Sequence, residues 1–175
     1  KSYHQKAKVR DLALLTLLLG TGIRVSECVG LNIADIDFKN GGIRIYRKGG
    51  KEVTVYFGTE VEDALLDYLE ERDRIIPEKG HEDALFLSLQ RRRMAVRSVE
   101  NLVKKYARIV SPLKPITPHK LRSTYGTNLY RETGDIYLVA DVLGHSDVNT
   151  TKKHYAALED QRRRSARNKV KLRES

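Results

Sequence analysis

One cysteine in 175 residues cannot build a disulfide framework, and no Cys/His pairing has the spacing of a zinc site. Long hydrophobic runs are missing as well. The longest, residues 12–19, is interrupted by Thr16 and is far too short to span a bilayer. No charged n-region followed by an apolar h-region opens the chain, so a cytoplasmic location with no membrane partner is expected. There is no Walker lysine loop, no dinucleotide fingerprint after a strand, no internal repeat and no low-complexity tract. The carboxylates crowd residues 60–83 on what reads as a helix surface, which argues against a metal-dependent nuclease. Cys28 stands in an apolar stretch, residues 25–31, and reads as a small core residue rather than a nucleophile.

What is present is enough apolar sequence to bury a core, 40% of residues, beside 32% charged ones, in a length suited to one domain. Charge is unevenly placed. Residues 1–90 carry 13 Lys and Arg against 15 Asp and Glu, whereas residues 91–175 carry 20 against 8. A polyanion, DNA or RNA, is the partner such asymmetry suggests.

The pattern of apolar residues predicts a mostly helical α+β domain. Val9, Leu12, Ala13, Leu15, Leu17, Leu18 and Leu19 mark a largely buried helix over residues 7–20, broken by Thr21-Gly22. A short helix over 25–31 follows, then strands at 36–38, 43–46 and 53–57, with turns at Asn40-Gly41-Gly42 and Gly49-Gly50. These form a small three-stranded antiparallel sheet. Thr59 with Glu62 suggests a capping box opening a helix closed by Pro77. An extended piece at 85–87, a helix over 96–110 and a proline-punctuated loop at 111–116 come next. Thr117 reads as an N-cap with Pro118 at the first helical position. That helix stops at Gly134, another ends at Gly144, and a further helical segment covers 147–155 before a basic tail at 162–173.

Cationic and hydrogen-bonding residues recur at the ends of these elements. Arg24 opens a helix after a glycine break, and Lys48 lies in the turn between two strands. His119 and Arg122 share a face at a helix N-terminus, where backbone N–H groups favour an anion. His145 follows Gly144, and Tyr155 lies ten residues further on. Together they resemble the tyrosine recombinase (phage integrase) family. Thr21-Gly22-Ile23-Arg24-Val25-Ser26-Glu27 resembles its first-arginine motif, and Tyr46-Arg47-Lys48-Gly49 its hairpin-lysine motif. Thr117-Pro118-His119-Lys120-Leu121-Arg122 is similar to its His-x-x-Arg box. Leu143-Gly144-His145-Ser146-Asp147 is similar to its second histidine motif, and Thr150-Thr151-Lys152-Lys153-His154-Tyr155 to its nucleophile segment. Five motifs in order make the resemblance specific. Ser123 and Asp141 stand where histidine and glutamine are frequent, but neither belongs to the catalytic set.

The resemblance implies a recombinase catalytic-domain fold and breakage and rejoining of DNA through a 3′-phosphotyrosine. Tyr155 would be the nucleophile; a phenol of pKa about 10 needs a cationic site to shed its proton as it attacks. Arg24 and Arg122 would hold the non-bridging phosphate oxygens. Lys48 would protonate the leaving 5′-oxygen. His119 would take the tyrosine proton or bond the phosphate, and His145 would donate a further hydrogen bond. No cofactor is implied, and with so many fixed cations no divalent metal is needed. Glu27, one turn from Arg24, is a candidate to orient it. The run Arg91-Arg92-Arg93 is a candidate to track the DNA backbone. Tyr125, Tyr130 and Tyr137 are the next tyrosines to consider as nucleophile, and His154 is a rival to His145.

The implied substrate is a double-stranded DNA recombination site, with self-assembly on it into a tetrameric synapse. Integration or excision of a mobile element is the expected job, with chromosome-dimer resolution as the alternative. A DNA-binding protein without catalysis and a type IB topoisomerase are the readings from other classes. The family pattern further implies that residues 1–175 are the catalytic portion, without an N-terminal core-binding domain, and that 156–175 form a tail that docks on a neighbouring subunit.

Overall fold

The computed structural model describes residues 3–110, 113, 116–145 and 147–173. In chain order the elements are α1 (Tyr3–Thr21), α2 (Val25–Val29), β1 (Ile36–Asp37), β2 (Gly42–Arg47), β3 (Lys51–Tyr56), α3 (Thr59–Arg72) and α4 (Val96–Val110). Then come α5 (Pro118–Thr133), α6 (Ile136–Leu143), α7 (Val148–His154) and α8 (Ala156–Ala166). They divide into two units, Lys1–Thr124 and Tyr125–Ser175, with the boundary inside α5.

The first unit is built on α1 and α3. Leu14, Leu17 and Leu18 of α1 and Leu65 and Tyr68 of α3 are fully withdrawn from solvent. A β-carbon at Gly20 would lie 2.5 Å from Val61 Cγ2, so glycine is what lets α3 come this close. Gly22 takes a left-handed φ of 68°, which ends α1 and turns the chain towards Arg24. The sheet has the order β1-β2-β3, both pairs antiparallel, with Ile43 opposite Val55 and Ile45 opposite Val53 in the β2–β3 pairing. Ile43, Ile45 and Val55 are buried, whereas Arg44, Tyr46 and Tyr56 face solvent, as period-two alternation requires.

The segment after α3 is sewn to it by polar contacts. Tyr68 Oη donates to the Leu85 carbonyl at 2.8 Å and accepts from the Leu87 N–H at 3.1 Å, while its ring stacks on Phe86 at 5.3 Å. Arg72, also buried, donates to the carbonyls of Ala84 and Glu82. α4 closes the core with Val99, Leu102, Val103 and Ala107, the stripe that a 3.6-residue period places on one face.

The second unit has a smaller and more aromatic core: Tyr130, Ile136, Val139, Leu143 and Tyr155, with Tyr125, Leu129 and Leu158 partly buried against it. Side chains cap the starts of α6 and α7. Asp135 accepts from the N–H groups of Tyr137 and Leu138 at the start of α6, and Gly144, at φ 73°, caps its end. Asp147 accepts from the Asn149 N–H at 2.9 Å to open α7.

Most expected elements are present, with differences at their edges. α1 starts at Tyr3 rather than residue 7, α2 stops at Val29, and β1 has two residues. The cap of α3 is Gly58, with Thr59 as the first helical residue and no side-chain cap bond; the expected capping box does not form. The extended piece at 85–87 makes one bridge, Leu87 opposite Arg93. Thr117 does cap α5, its hydroxyl accepting from the Lys120 N–H at 3.2 Å. Within the expected loop at 111–116, Ser111, Pro112, Lys114 and Pro115 lie outside the described residues. No helix among the described residues is long and apolar enough to cross a membrane.

Candidate active site

Arg24, Lys48, His119 and Arg122 belong to the first unit, and His145 and Tyr155 to the second. Each group has its own geometry.

In the first unit the focal group is Glu27, a buried carboxylate. Its Oε1 accepts the backbone N–H of Arg24 at 2.7 Å, the reciprocal bond of a helix N-terminus, and fixes Arg24 as the N-cap of α2. Its Oε2 lies 3.5 Å from Arg24 Nη1 and 3.3 Å from Arg47 Nε. The side chain of Arg24 remains 43% exposed, so its guanidinium keeps donors facing solvent. Arg122 is buried and donates to the carbonyl of Gly22, in the turn that delivers Arg24. α5 thereby brings the second arginine to the loop of the first. Lys48 follows Arg47 directly, in a short 3-10 turn, Lys48–Gly50, and is exposed. His119 lies one helical turn before Arg122, exposed, in the first turn of α5. Contacts thus tie Arg122 to the Gly22 turn that precedes Arg24, and Glu27 ties Arg24 to the root of the Lys48 turn.

In the second unit Thr151, fully buried, serves both candidates. Its hydroxyl meets His145 Nδ1 at 2.5 Å, and its carbonyl accepts the backbone N–H of Tyr155 at 3.1 Å. The Tyr155 ring is 3% exposed, stacks on Tyr130 at 5.8 Å and meets the edge of the His154 ring at 4.8 Å. Its hydroxyl lies against the Gly126 backbone. Among the rivals, Tyr137 is 61% exposed and engaged by Lys152, which donates to its hydroxyl at 3.2 Å. Burial pushes the phenol of Tyr125 above its ordinary value. His154 is exposed and packs on the nucleophile candidate, whereas His145 has the buried hydroxyl partner.

The structure separates the arginine run at 91–93. Arg93 donates to the carbonyls of Val29 at 3.0 Å and Leu31 at 2.8 Å, and to Asn32 Oδ1. It is a structural clasp, not a free phosphate contact, because three carbonyl-type oxygens already claim its fork. Arg91 pairs with Glu78 at 2.8 Å, and Arg92 is exposed. Cys28 is completely buried, and burial pushes its thiol up to about 12, which removes it as a nucleophile at neutral pH. The residue that sequence reasoning passed over is Arg47. Its signal is strand parity: it shares the inward face of β2 with Ile43 and Ile45, where a charged residue needs a buried partner.

Comparison with known proteins shows the family. The phage integrase family model matches residues 1–162. A tyrosine recombinase XerD of Oceanobacillus iheyensis is 38% identical over 148 residues, 84% of this chain and 50% of that protein. The crystal structure of XerA recombinase superposes with a TM-score of 0.76 at 30% identity, covering 87% of this chain and 58% of that one. A post-cleavage complex of XerH site-specific recombinase with palindromic difH DNA gives 0.79 at 26% identity, covering 95% and 46%. The chain spans about half the length of the curated relatives it matches. The mainly helical fold with its small antiparallel sheet is that of the tyrosine recombinase catalytic domain, and the chain belongs to the phage integrase family of tyrosine recombinases.

Proposed function

We propose that this chain is the catalytic portion of a site-specific DNA recombinase acting on double-stranded DNA through a 3′-phosphotyrosine. The observation that carries the reading is the link from Arg122 through Gly22 to Arg24, and from Arg24 through Glu27 to the turn that presents Lys48. Two guanidinium groups and an ammonium on one frame suit a phosphate whose charge grows in the transition state.

In this reading Tyr155 Oη attacks the scissile phosphorus and the bond from phosphorus to the 5′-oxygen breaks. His119 takes the phenol proton or bonds the phosphate, the proton then leaving to solvent, and Lys48 supplies a proton to the departing 5′-oxygen. Arg24 and Arg122 hold the non-bridging oxygens, with a further hydrogen bond from His145. Attack by a 5′-hydroxyl on the phosphotyrosine reverses the step and rejoins a strand. Assembly of four copies on two DNA sites belongs to the same proposal, as does docking of the tail after Tyr155 on a neighbour.

Of the two biological jobs, similarity to relatives named XerD and XerC supports chromosome-dimer resolution over mobile-element integration. Trapping covalent complexes in cells and sequencing the attached DNA separates them. A single chromosomal locus supports dimer resolution, and the ends of a mobile element support integration.

A suicide half-site that loses a short 5′ fragment on cleavage tests the chemistry. The wild type should accumulate a covalent adduct on a denaturing gel. Tyr155→Phe should bind the same DNA, since the ring still stacks on Tyr130, and form none. An adduct persisting in that variant would overturn the choice of nucleophile.

A further inference from the structure

Beyond Arg47 the hairpin closes through a short 3-10 turn, Lys48–Gly50. Gly49 and Gly50 have φ of 81° and 75°, and a β-carbon at either would meet nothing within 4 Å. Before that turn, β2 points Ile43 and Ile45 into the core, and Arg47 falls in the same register. Its side chain is 9% exposed and its Nε stands 3.3 Å from Glu27 Oε2, itself 4% exposed. The same carboxylate holds the backbone N–H of Arg24 at 2.7 Å and its guanidinium at 3.5 Å. One buried carboxylate thus receives an arginine from the cap of α2 and another from the end of β2.

We propose that Arg47 is a positioning residue that pins the root of the β2–β3 hairpin to Glu27, so that Lys48 is presented at a set distance from the Arg24 guanidinium. The inference rests on the recombinase reading, in which Lys48 protonates the leaving oxygen. The two glycines let the turn adopt left-handed φ beside open space, and the ion pair at its root fixes where it leaves β2. Arg47 touches no substrate in this scheme and acts through Lys48.

The test compares the full-length wild type, Arg47→Met, Arg47→Lys and Lys48→Ala in single-turnover cleavage of a suicide half-site. Each protein is assayed with ordinary DNA and with a sulfur at the 5′-bridging position, which leaves without needing a proton. Arg47→Met should cleave ordinary DNA about 10- to 100-fold more slowly, the scale expected when a catalytic group is misplaced by about an ångström. The sulfur substrate should restore most of that loss, as it does for Lys48→Ala, with half-site affinity close to wild type. Arg47→Lys should fall between the two, and it carries the test alone if Arg47→Met shows no cooperative melt. Equal slowing on both substrates would mark Arg47 as a stability residue only and overturn the inference. Wild-type cleavage by the variants would do the same. If Lys48→Ala itself cleaves ordinary DNA normally or is not rescued by sulfur, the reading of Lys48 fails and the inference falls with it. Rescue of Lys48→Ala without rescue of the Arg47 variants sinks the inference alone.

Discussion

The hydroxyl of Tyr155 rests against the α-carbon of Gly126: a β-carbon built there would lie 2.1 Å from Oη and 3.0 Å from Leu143 Cδ1. The candidate nucleophile is therefore seated in the core of its unit, stacked on Tyr130, and the seat exists because residue 126 has no side chain.

Gly126→Ala should destabilise the second unit by about 1–3 kcal/mol, the usual cost of overpacking. The same methyl should drive the phenol out of its seat. Denaturant melts read the first effect and nitration of Tyr155 followed by mass spectrometry the second. An unchanged melt with an unreactive Tyr155 would mean that the ring and helix adjust around the methyl.

Thr151→Val removes the hydroxyl that meets His145 Nδ1 and leaves the carbonyl that holds the Tyr155 N–H. Cleavage should slow by about 10-fold or more, as an imidazole loses its orientation. Thr151→Ser, which keeps the oxygen, should restore most of the rate. Comparable losses in both variants would assign the effect to packing at a fully buried position.

Lys48→Ala should lower cleavage of ordinary DNA by about 10²–10⁴-fold, the range of general acid catalysis. A 5′-bridging sulfur should recover most of it. Cleavage by the wild type should continue in excess chelator, since Arg24, Arg122 and Lys48 supply the charge that a metal would otherwise bring. A chelator-sensitive wild type would contradict this division of labour.

Cys28, held up to about 12 by burial, should react with thiol reagents at neutral pH only as fast as the first unit opens. The sign of its contribution to stability follows. The folded thiol keeps its proton while the unfolded one ionises from its ordinary value of 9.0, so stability should fall as pH rises from about 9 towards 12. Cys28→Ala should flatten that part of the stability–pH curve. Rapid labelling of the folded protein would contradict the burial argument.

Much of this protein is determined by local sequence. Apolar spacing defines α1, α4 and α6, and glycines at 22, 134 and 144 end helices because the left-handed φ they adopt has no steric cost without a β-carbon. The motifs around Arg24, Lys48, His119, Arg122, His145 and Tyr155 are readable in order, because each combines a chemical residue type with an element end. Tertiary structure alone decided the rest. Thr59 and Glu62 have the spacing of a capping box, yet Gly58 takes the cap. Arg91, Arg92 and Arg93 look alike in sequence, but Arg93 is claimed by the carbonyls of Val29 and Leu31, about sixty positions away. Arg47 and Glu27 become partners only when β2 lies beside α2, because a buried cation selects its carboxylate by proximity in space and not by spacing along the chain.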